Sequence, residues 1–184
     1  MKPKVTWHHV IWYPQANPKH AFILWLAKLD RLSTQDKLMK WFPTKSFKCG
    51  LCGVCEDSVQ HLFFECSFSK NVWKECKKFL LFQGLPDTLN EIIDSLARYP
   101  FRNQIWDIIN RLTVAAVVYN IWNERNCRFF KDLKRKEMDL VHVIIEGIKL
   151  KLTTFVVKGS NAIKIAEKKW DLVLKGSRLQ IKSS

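Results

Sequence analysis

Four soft metal-binding side chains fall within eighteen positions of this chain, and they constrain its fold more than any other feature. Cys49, Cys52, His61 and Cys66 follow the pattern C-x2-C-x8-H-x4-C. Structural zinc sites take four tetrahedral nitrogen or sulfur ligands, and three Cys with one His is a standard set. The pattern therefore predicts a structural zinc ion that ties two pieces of chain together.

The first two ligands must be chosen from three closely spaced thiols. Cys55 extends the run to C-x2-C-x2-C, and we favour Cys49 and Cys52, with Cys55 as the alternative ligand. Gly50 and Gly53 lie close to the pair and supply the backbone freedom that a tight turn needs. Cysteines are also common as small buried hydrophobes, and a C-x2-C pair alone can be redox-active. A third Cys and a His at ligand-like distance favour zinc over both alternatives.

Length and composition allow a packed core that does not depend on the metal. The chain has 184 residues, enough for one domain or one and a half, and 47% of them are hydrophobic. The first residues lack the apolar segment of a signal peptide, and no apolar run reaches the length of a membrane span. These features predict an intracellular protein with no membrane contact. In a reducing compartment its six Cys are expected to be thiols and metal ligands rather than disulfides.

Positive charge is concentrated in the two arms that flank the zinc segment. The formal net charge is +14, made up of +7 over residues 1–48, −2 over residues 49–100 and +9 over residues 101–184. Such an excess predicts a polyanionic partner, with nucleic acid (RNA or DNA) as the first choice, although Lys-rich surfaces also serve only for solubility. The candidate phosphate contacts are Lys37, Lys40, Lys45, Lys48, Arg125, Arg128, Lys134 and Arg135.

Two further features extend the nucleic-acid hypothesis. Trp41 and Phe47 lie among the basic residues before the metal and are candidates for stacking on unpaired bases. The run KDLKRK at residues 131–136 is a candidate nuclear signal, although charge on a helix surface explains it equally well. We therefore predict a nuclear location.

The chain before the zinc segment is predicted to contain a short extended stretch and two helices. Residues 7–14 form an apolar stretch that ends at a Pro. Asn17 before Pro18 predicts a helix start, with apolar spacing through residue 32. Residues 33–36 resemble a capping box and predict a second helix to about residue 41.

The last two ligands cannot share one helix face. His61 and Cys66 are five residues apart, which places them roughly 140° apart around a helix of 3.6 residues per turn. A short helix must therefore end between them, with Cys66 at the entry to the next helix. Ser67 or Ser69 is the expected cap of that next helix.

The second half of the chain is predicted to be entirely helical. A capping box at residues 88–91 opens one helix, and longer apolar periodicities cover residues 102–130 and about 136–155, before a last helix that follows Gly159. Strand signals are weak throughout. The predicted class is mainly α, with a small zinc-stapled helical domain at residues 1–83. A bundle of longer helices with a basic tail follows at residues 84–184.

Several motifs stand in a fixed order around the ligands. After Trp7 and Trp12 come PKHAFILWLAKLDRLSTQDKL, CGLCG, DSVQHLFFEC and SKNVW. This order resembles the zinc-binding domain of plant non-LTR (LINE-type) retrotransposon reverse transcriptases, and IWNERNCRFF at residues 121–130 is similar to the segment that often follows that domain. The resemblance implies the same four zinc ligands and an origin beside a polymerase that holds nucleic acid. Cys55 has no fixed place in the family pattern.

The catalytic parts of such a polyprotein are missing from the sequence. No Y-x-D-D-type acidic pair in a hydrophobic strand setting occurs, and Asp30, Asp36 and Asp57 are isolated, whereas two-metal phosphoryl transfer needs grouped carboxylates. The four predicted ligands would also close the zinc coordination sphere. We therefore expect no enzymatic activity, and the chain looks like a fragment of an element or an orphan gene derived from one.

Three functions remain open at this point. The first is a nucleic-acid-binding module that acts through its basic flanks. The second is a zinc-stapled helical scaffold for a protein partner, which the acidic pair Glu56–Asp57 favours because it would repel phosphate near the metal. The third is a relic of a retroelement polyprotein without a role of its own.

Overall fold

The computed structural model describes residues 5–39, 48–81, 84–98, 102 and 104–177. Within these ranges all regular secondary structure longer than an isolated bridge is helical, which confirms the predicted mainly α class. The helices are α1 (His8–Ile11), α2 (Pro18–Lys28), α3 (Gln35–Met39), α4 (Val59–Leu62), α5 (Ser67–Lys77), α6 (Leu89–Ala97), α7 (Ile105–Lys131), α8 (Glu137–Leu152) and α9 (Asn161–Trp170).

Four of the helices, α2, α4, α6 and α9, begin at a residue whose side chain caps the helix. The side chain of Asn17 accepts a hydrogen bond from the backbone N–H of Lys19 at 3.2 Å. Thr88 Oγ1 accepts from the N–H of Glu91 at the start of α6, and Ser160 Oγ does the same for Ile163 in α9. These caps satisfy N–H groups that have no partner inside the helix, and they confirm the predicted starts of α2 and α6.

Three local predictions are wrong. Residues 7–14 are not extended, because they contain α1, whose Val10 and Ile11 are buried in the core. Helix α2 ends at Lys28 rather than at residue 32, since the chain turns through Asp30 with a positive φ of 52°. Helix α5 starts at Ser67 with Cys66 in the capping position, so neither predicted serine caps it.

Helix α7 is the centre of the fold. Its residues from Ile105 to Val118 are all buried except Asp107 and Asn110, because α1, α2, α5, α8 and α9 pack around it. A helix that is apolar on nearly every side is stable only inside a shell of other elements. The predicted long helix is therefore confirmed, and the five helices named above pack against it.

One hydrophobic cluster spans the two predicted domains. Buried residues of α2 and α5 belong to the same cluster as those of α7 and α8. The division into residues 1–83 and 84–184 stays a prediction, and the shared core links the stability of the two parts. Within the described ranges, none of the helices combines the length and apolarity required to cross a bilayer.

We predict that Leu24→Ala in α2 will destabilise the whole chain in one transition. Leu24 is fully buried in the shared core, and truncating such a side chain costs about 2–5 kcal/mol through lost burial and a residual cavity. Helical circular dichroism during urea unfolding measures the effect. Leu150→Ala, at a residue that is 72% exposed, is the matched control and should change little. Two separate transitions in the Leu24 variant would contradict a shared core.

Candidate metal centre

The first two ligands lie on a tight turn at the end of a small hairpin. Lys48 and Glu56 form an isolated antiparallel bridge, and the N–H of Cys49 donates to the carbonyl of Cys55 at 2.7 Å. The N–H of Gly53 then donates to the carbonyl of Cys49, with Gly53 at a φ of 70°. Glycine adopts such a φ without the steric cost that a Cβ brings. The hairpin therefore presents Cys49 and Cys52 from one turn, as the C-x2-C spacing predicts.

The last two ligands are brought together by a sharp reversal between α4 and α5. Ser58 caps α4, His61 lies in its last turn, and Cys66 immediately precedes α5. The N–H of Cys66 donates to the carbonyl of His61 at 2.8 Å, across a turn in which Phe64 has a φ of 76°. A positive φ is costly for an aromatic residue, and the buried contact of Phe64 with Trp73 compensates for it. The predicted break between these ligands is confirmed.

The four donor atoms fit a tetrahedral zinc ion. All lie within 4.8 Å of one another. The Sγ atoms of Cys49 and Cys66 are 3.9 Å apart, and Cys52 Sγ lies 3.3 Å from His61 Nε2. Ideal Zn–S and Zn–N bond lengths give tetrahedral edges of about 3.8 Å for two sulfurs and about 3.6 Å for sulfur and nitrogen. A bound ion would thus join the hairpin to the α4–α5 turn.

A hydrogen bond between the two buried thiols shifts their pKa values in opposite directions. The hydrogen bond between Cys49 and Cys66 is the main cause that raises the pKa of the Cys49 thiol and lowers the pKa of the Cys66 thiol, and burial also raises the former. The backbone N–H of Leu51 points at Cys49 Sγ from 3.4 Å. A zinc ion favours the thiolate form of its ligands, and N–H donors of this kind help to stabilise that negative charge.

Cys55 lies outside the cluster. Its side chain is exposed, while Cys52 is half-buried beside His61. Within the described part of the chain, the metal-binding group that the structure assembles consists of Cys49, Cys52, His61 and Cys66. The structure therefore favours Cys52 over Cys55 as the second ligand.

A buried ion pair fastens the metal hairpin to the central helix. Asp57 and Arg125 are almost fully buried, and both carboxylate oxygens of Asp57 accept hydrogen bonds from the Arg125 guanidinium. The same carboxylate accepts the N–H of Gln35 at 2.8 Å and so caps α3. Arg125 also lies over the rings of Trp122 and Phe129. The sequence predicted that residues 33–36 cap this helix themselves. The structure shows instead that the cap is the Asp57 carboxylate.

A second arginine of α7 contacts the metal turn itself. Arg128 donates to the carbonyls of Gly50 and Leu51 at 3.4 Å and 3.0 Å. Its Nε donates to Glu124, which is fully buried, and its remaining nitrogen donates to the carbonyl of Arg135 at 2.9 Å. One guanidinium therefore joins the metal turn, helix α7 and the segment that follows α7.

Gly50 is required at this contact because of its small size. The ring of Phe129 lies so close that a Cβ on Gly50 would meet its Cε2 atom at 2.8 Å. A side chain at this position would force the Phe129 ring to move, so the glycine lets the hairpin backbone lie close to α7. This requirement adds to the turn chemistry that the sequence already indicated.

The structure gives two predicted phosphate contacts another role. Arg125 and Arg128 are committed to buried carboxylates and backbone carbonyls, so their charges are not available to a nucleic acid. Asp57 is likewise neutralised, so of the acidic pair predicted to repel phosphate near the metal only Glu56 is exposed. The i, i+4 spacing of Glu124 and Arg128 in α7 is the sequence signal that indicates this structural ion pair.

The other predicted phosphate contacts differ in how free their charges are. Lys48 and Lys134 are exposed, and Lys134 lies 3.6 Å from the exposed Asp132. Lys37 donates to the side chain of Asp30 and to the carbonyl of Leu32. Arg135 is about half exposed and pairs with Glu124. Lys40 and Lys45, like the stacking candidates Trp41 and Phe47, lie outside the described residues.

Fold and site together define a mainly α protein with a Cys3His metal centre held against its longest helix. Residues 1–73 match the family model described as zinc-binding in reverse transcriptase. The match includes all four ligands and ends within α5, so it covers less than half of the chain. A search of curated proteins and a search of solved structures find no match. The family match and the ligand cluster together confirm the predicted zinc-binding domain.

We predict that Cys52→Ala will lose its zinc and that Cys55→Ala will keep it. Cys52 supplies one of the four clustered donors, whereas Cys55 contributes only its backbone carbonyl to the hairpin. The metal content of each purified variant, measured by atomic absorption, tests the assignment. One zinc per chain in Cys52→Ala together with none in Cys55→Ala would reverse it.

We predict that Arg125→Met will lower the free energy of unfolding by about 3–5 kcal/mol, because it leaves the buried Asp57 carboxylate without its partner. Lys134→Met removes a cation from an exposed pair and should change stability by less than about 1 kcal/mol. Urea unfolding followed by circular dichroism compares the two. Equal losses would show that the buried pair contributes no more than a surface pair.

Proposed function

We propose that the chain is a retrotransposon-derived zinc-binding module that binds nucleic acid and performs no catalysis. The observation that carries the proposal is the combination of a reverse-transcriptase-type zinc domain with a net charge of +14. A polymerase of that class holds RNA and DNA, and a basic accessory domain beside it would contact the phosphate backbone. The more specific origin, in a plant non-LTR element, rests on the motif order and belongs to this proposal.

The placement of the acidic residues supports a polyanionic partner. Asp57, directly after the metal hairpin, and Glu124 of α7 are fully buried and paired with arginine, whereas Glu56 of the hairpin is exposed. Lys48 is exposed on the hairpin, across the bridge from the exposed Glu56. The flanks can thus attract phosphate without opposition from Asp57 and Glu124.

The geometry of the metal centre supports a structural rather than a catalytic ion. Four protein donors close a tetrahedral zinc, whereas catalytic zinc keeps a position for water. The histidine of α2 gives no sign of catalysis either: His20 stacks on Tyr119 with ring centroids 4.3 Å apart, and burial lowers its pKa to about 4. Zinc bound here would hold the hairpin and the α4–α5 turn in place, and the basic residues would bind the nucleic acid.

A protein-interaction scaffold is the second candidate, and one surface favours it. A cleft of about 650 Å³ between α5 and α8 is lined by apolar side chains that include Phe79, Met138 and Ile145. Met138 is 59% exposed. Charged residues such as Lys78, Glu146 and Lys149 surround these side chains and lessen the apolar character of the cleft.

The nuclear location stays part of the proposal and rests on the basic run at residues 131–136, all of which are exposed.

We predict that affinity for a single-stranded oligonucleotide will fall steeply with salt. Five phosphate contacts give a log–log slope of about −3.5, which is about a hundredfold loss for a fourfold rise in salt. Fluorescence anisotropy of labelled RNA and DNA strands at several salt concentrations measures the slope. Affinity that does not change with salt, or no binding at low salt, would favour the scaffold.

A further inference from the structure

The segment after α7 combines an exposed aromatic side chain with a group of basic residues. Phe130, in the last turn of α7, is 79% exposed, although large aromatic side chains usually bury most of their surface. Residues 131–136 are all exposed and contain four basic residues against one acidic residue, Asp132. The apolar surface and the positive charge therefore lie together at one end of the central helix.

The backbone of this segment is held in a fixed course. Asp132 has a φ of 48°, and its N–H and that of Leu133 both donate to the carbonyl of Cys127, so the chain reverses directly after α7. The N–H of Arg135 then donates to the buried carboxylate of Glu124 at 2.8 Å. Residues 132–135 thus fold back along the last turns of α7, beside the turn that bears Phe130.

The same anchor joins the segment to the metal centre. Arg128 donates at once to Leu51 in the metal turn and to the carbonyl of Arg135. Arg135 adds a contact from its own guanidinium to Glu124 at 3.3 Å. These contacts use the charges of Arg128 and Glu124 and part of the charge of Arg135. They leave the ammonium groups of Lys131, Lys134 and Lys136 as the exposed cations next to Phe130 in the chain, with that of Lys134 lying 3.6 Å from the exposed Asp132.

We propose that Phe130 and the basic segment Lys131–Lys136 form the contact for single-stranded nucleic acid, with Phe130 stacking on an unpaired base and the lysines binding the flanking phosphates. This assignment rests on the proposed function and adds the site and the form of the ligand. Aromatic side chains beside a positively charged track are the general means of binding single strands without sequence preference. A duplex keeps its bases stacked on each other, so it offers no free base to Phe130.

The aromatic part of the proposal is tested by Phe130→Ala in the full-length, zinc-loaded chain. Loss of one stacked base weakens binding to a single strand of about 15 nucleotides by roughly 5- to 150-fold. Phe130→Trp keeps a stacking surface and retains the affinity. Phe22→Ala, at another exposed phenylalanine, is the matched control and leaves binding unchanged. A second control uses the same strand hybridised to its complement, and Phe130→Ala weakens binding to this duplex less than binding to the single strand.

The basic part is tested by a triple variant, Lys131→Gln, Lys134→Gln and Lys136→Gln, which should reduce the magnitude of the salt slope by about 2. The control removes three exposed lysines elsewhere, Lys158, Lys164 and Lys168, with the same change of net charge. Helical circular dichroism and zinc content confirm that every variant is folded.

The outcomes separate this site from the proposed function. Tight, salt-dependent binding by the wild type that Phe130→Ala and Phe22→Ala leave equally unchanged would overturn the Phe130 site while nucleic-acid binding stands. An equal loss of affinity in both triple-lysine variants would likewise show that the segment contributes only general surface charge and is not a specific contact. No binding by the wild type at low salt would overturn both proposals. Equal weakening by Phe130→Ala on single strand and duplex would show that stacking on a free base is not the contact.

Discussion

The ion pair between Asp57 and Arg125 is the constraint on which the arrangement of the metal centre depends. It joins residues 68 positions apart in the chain, and both side chains are almost fully buried. A buried carboxylate is tolerated only when its lone pairs are occupied, and here the guanidinium and the N–H of Gln35 occupy them. The metal hairpin, α3 and α7 are consequently positioned together.

The arginines and the lysines of this region have different roles. Arg125 and Arg128 use planar, multiply donating guanidinium groups to satisfy buried carboxylates and backbone carbonyls at fixed distances. The neighbouring Lys131, Lys134 and Lys136 are exposed, and a lysine ammonium acts as a hydrated point charge on a flexible stem. The former suits the building of a structure, and the latter suits contact with a flexible polyanion. The net charge alone does not separate these two roles.

The sequence predicted what local chemistry decides. Ligand spacing, the break between His61 and Cys66, and the caps at Asn17 and Thr88 all depend on residues close together in the chain. Sequence reasoning failed where distant residues decide. Residues 8–11 are helical where an extended stretch was expected, and their Val10 and Ile11 are buried in the shared core. Arg125 is a structural residue only because Asp57 folds against it, and no spacing rule links positions so far apart.

The family match ends before the part of α7 that holds the metal centre in place. The match ends at residue 73, inside α5, whereas the contacts to the metal turn and to Asp57 directly after the hairpin come from Arg125, Arg128 and Phe129. Residues 1–73 alone would leave Asp57 without its counter-ion and Gly50 without the ring that covers it. Zinc can close the coordination sphere of such a segment, but it cannot replace those contacts. In this chain the metal centre is therefore completed by α7, and the same helix ends with the exposed Phe130 and Lys131, with Lys134 and Lys136 in the segment that follows.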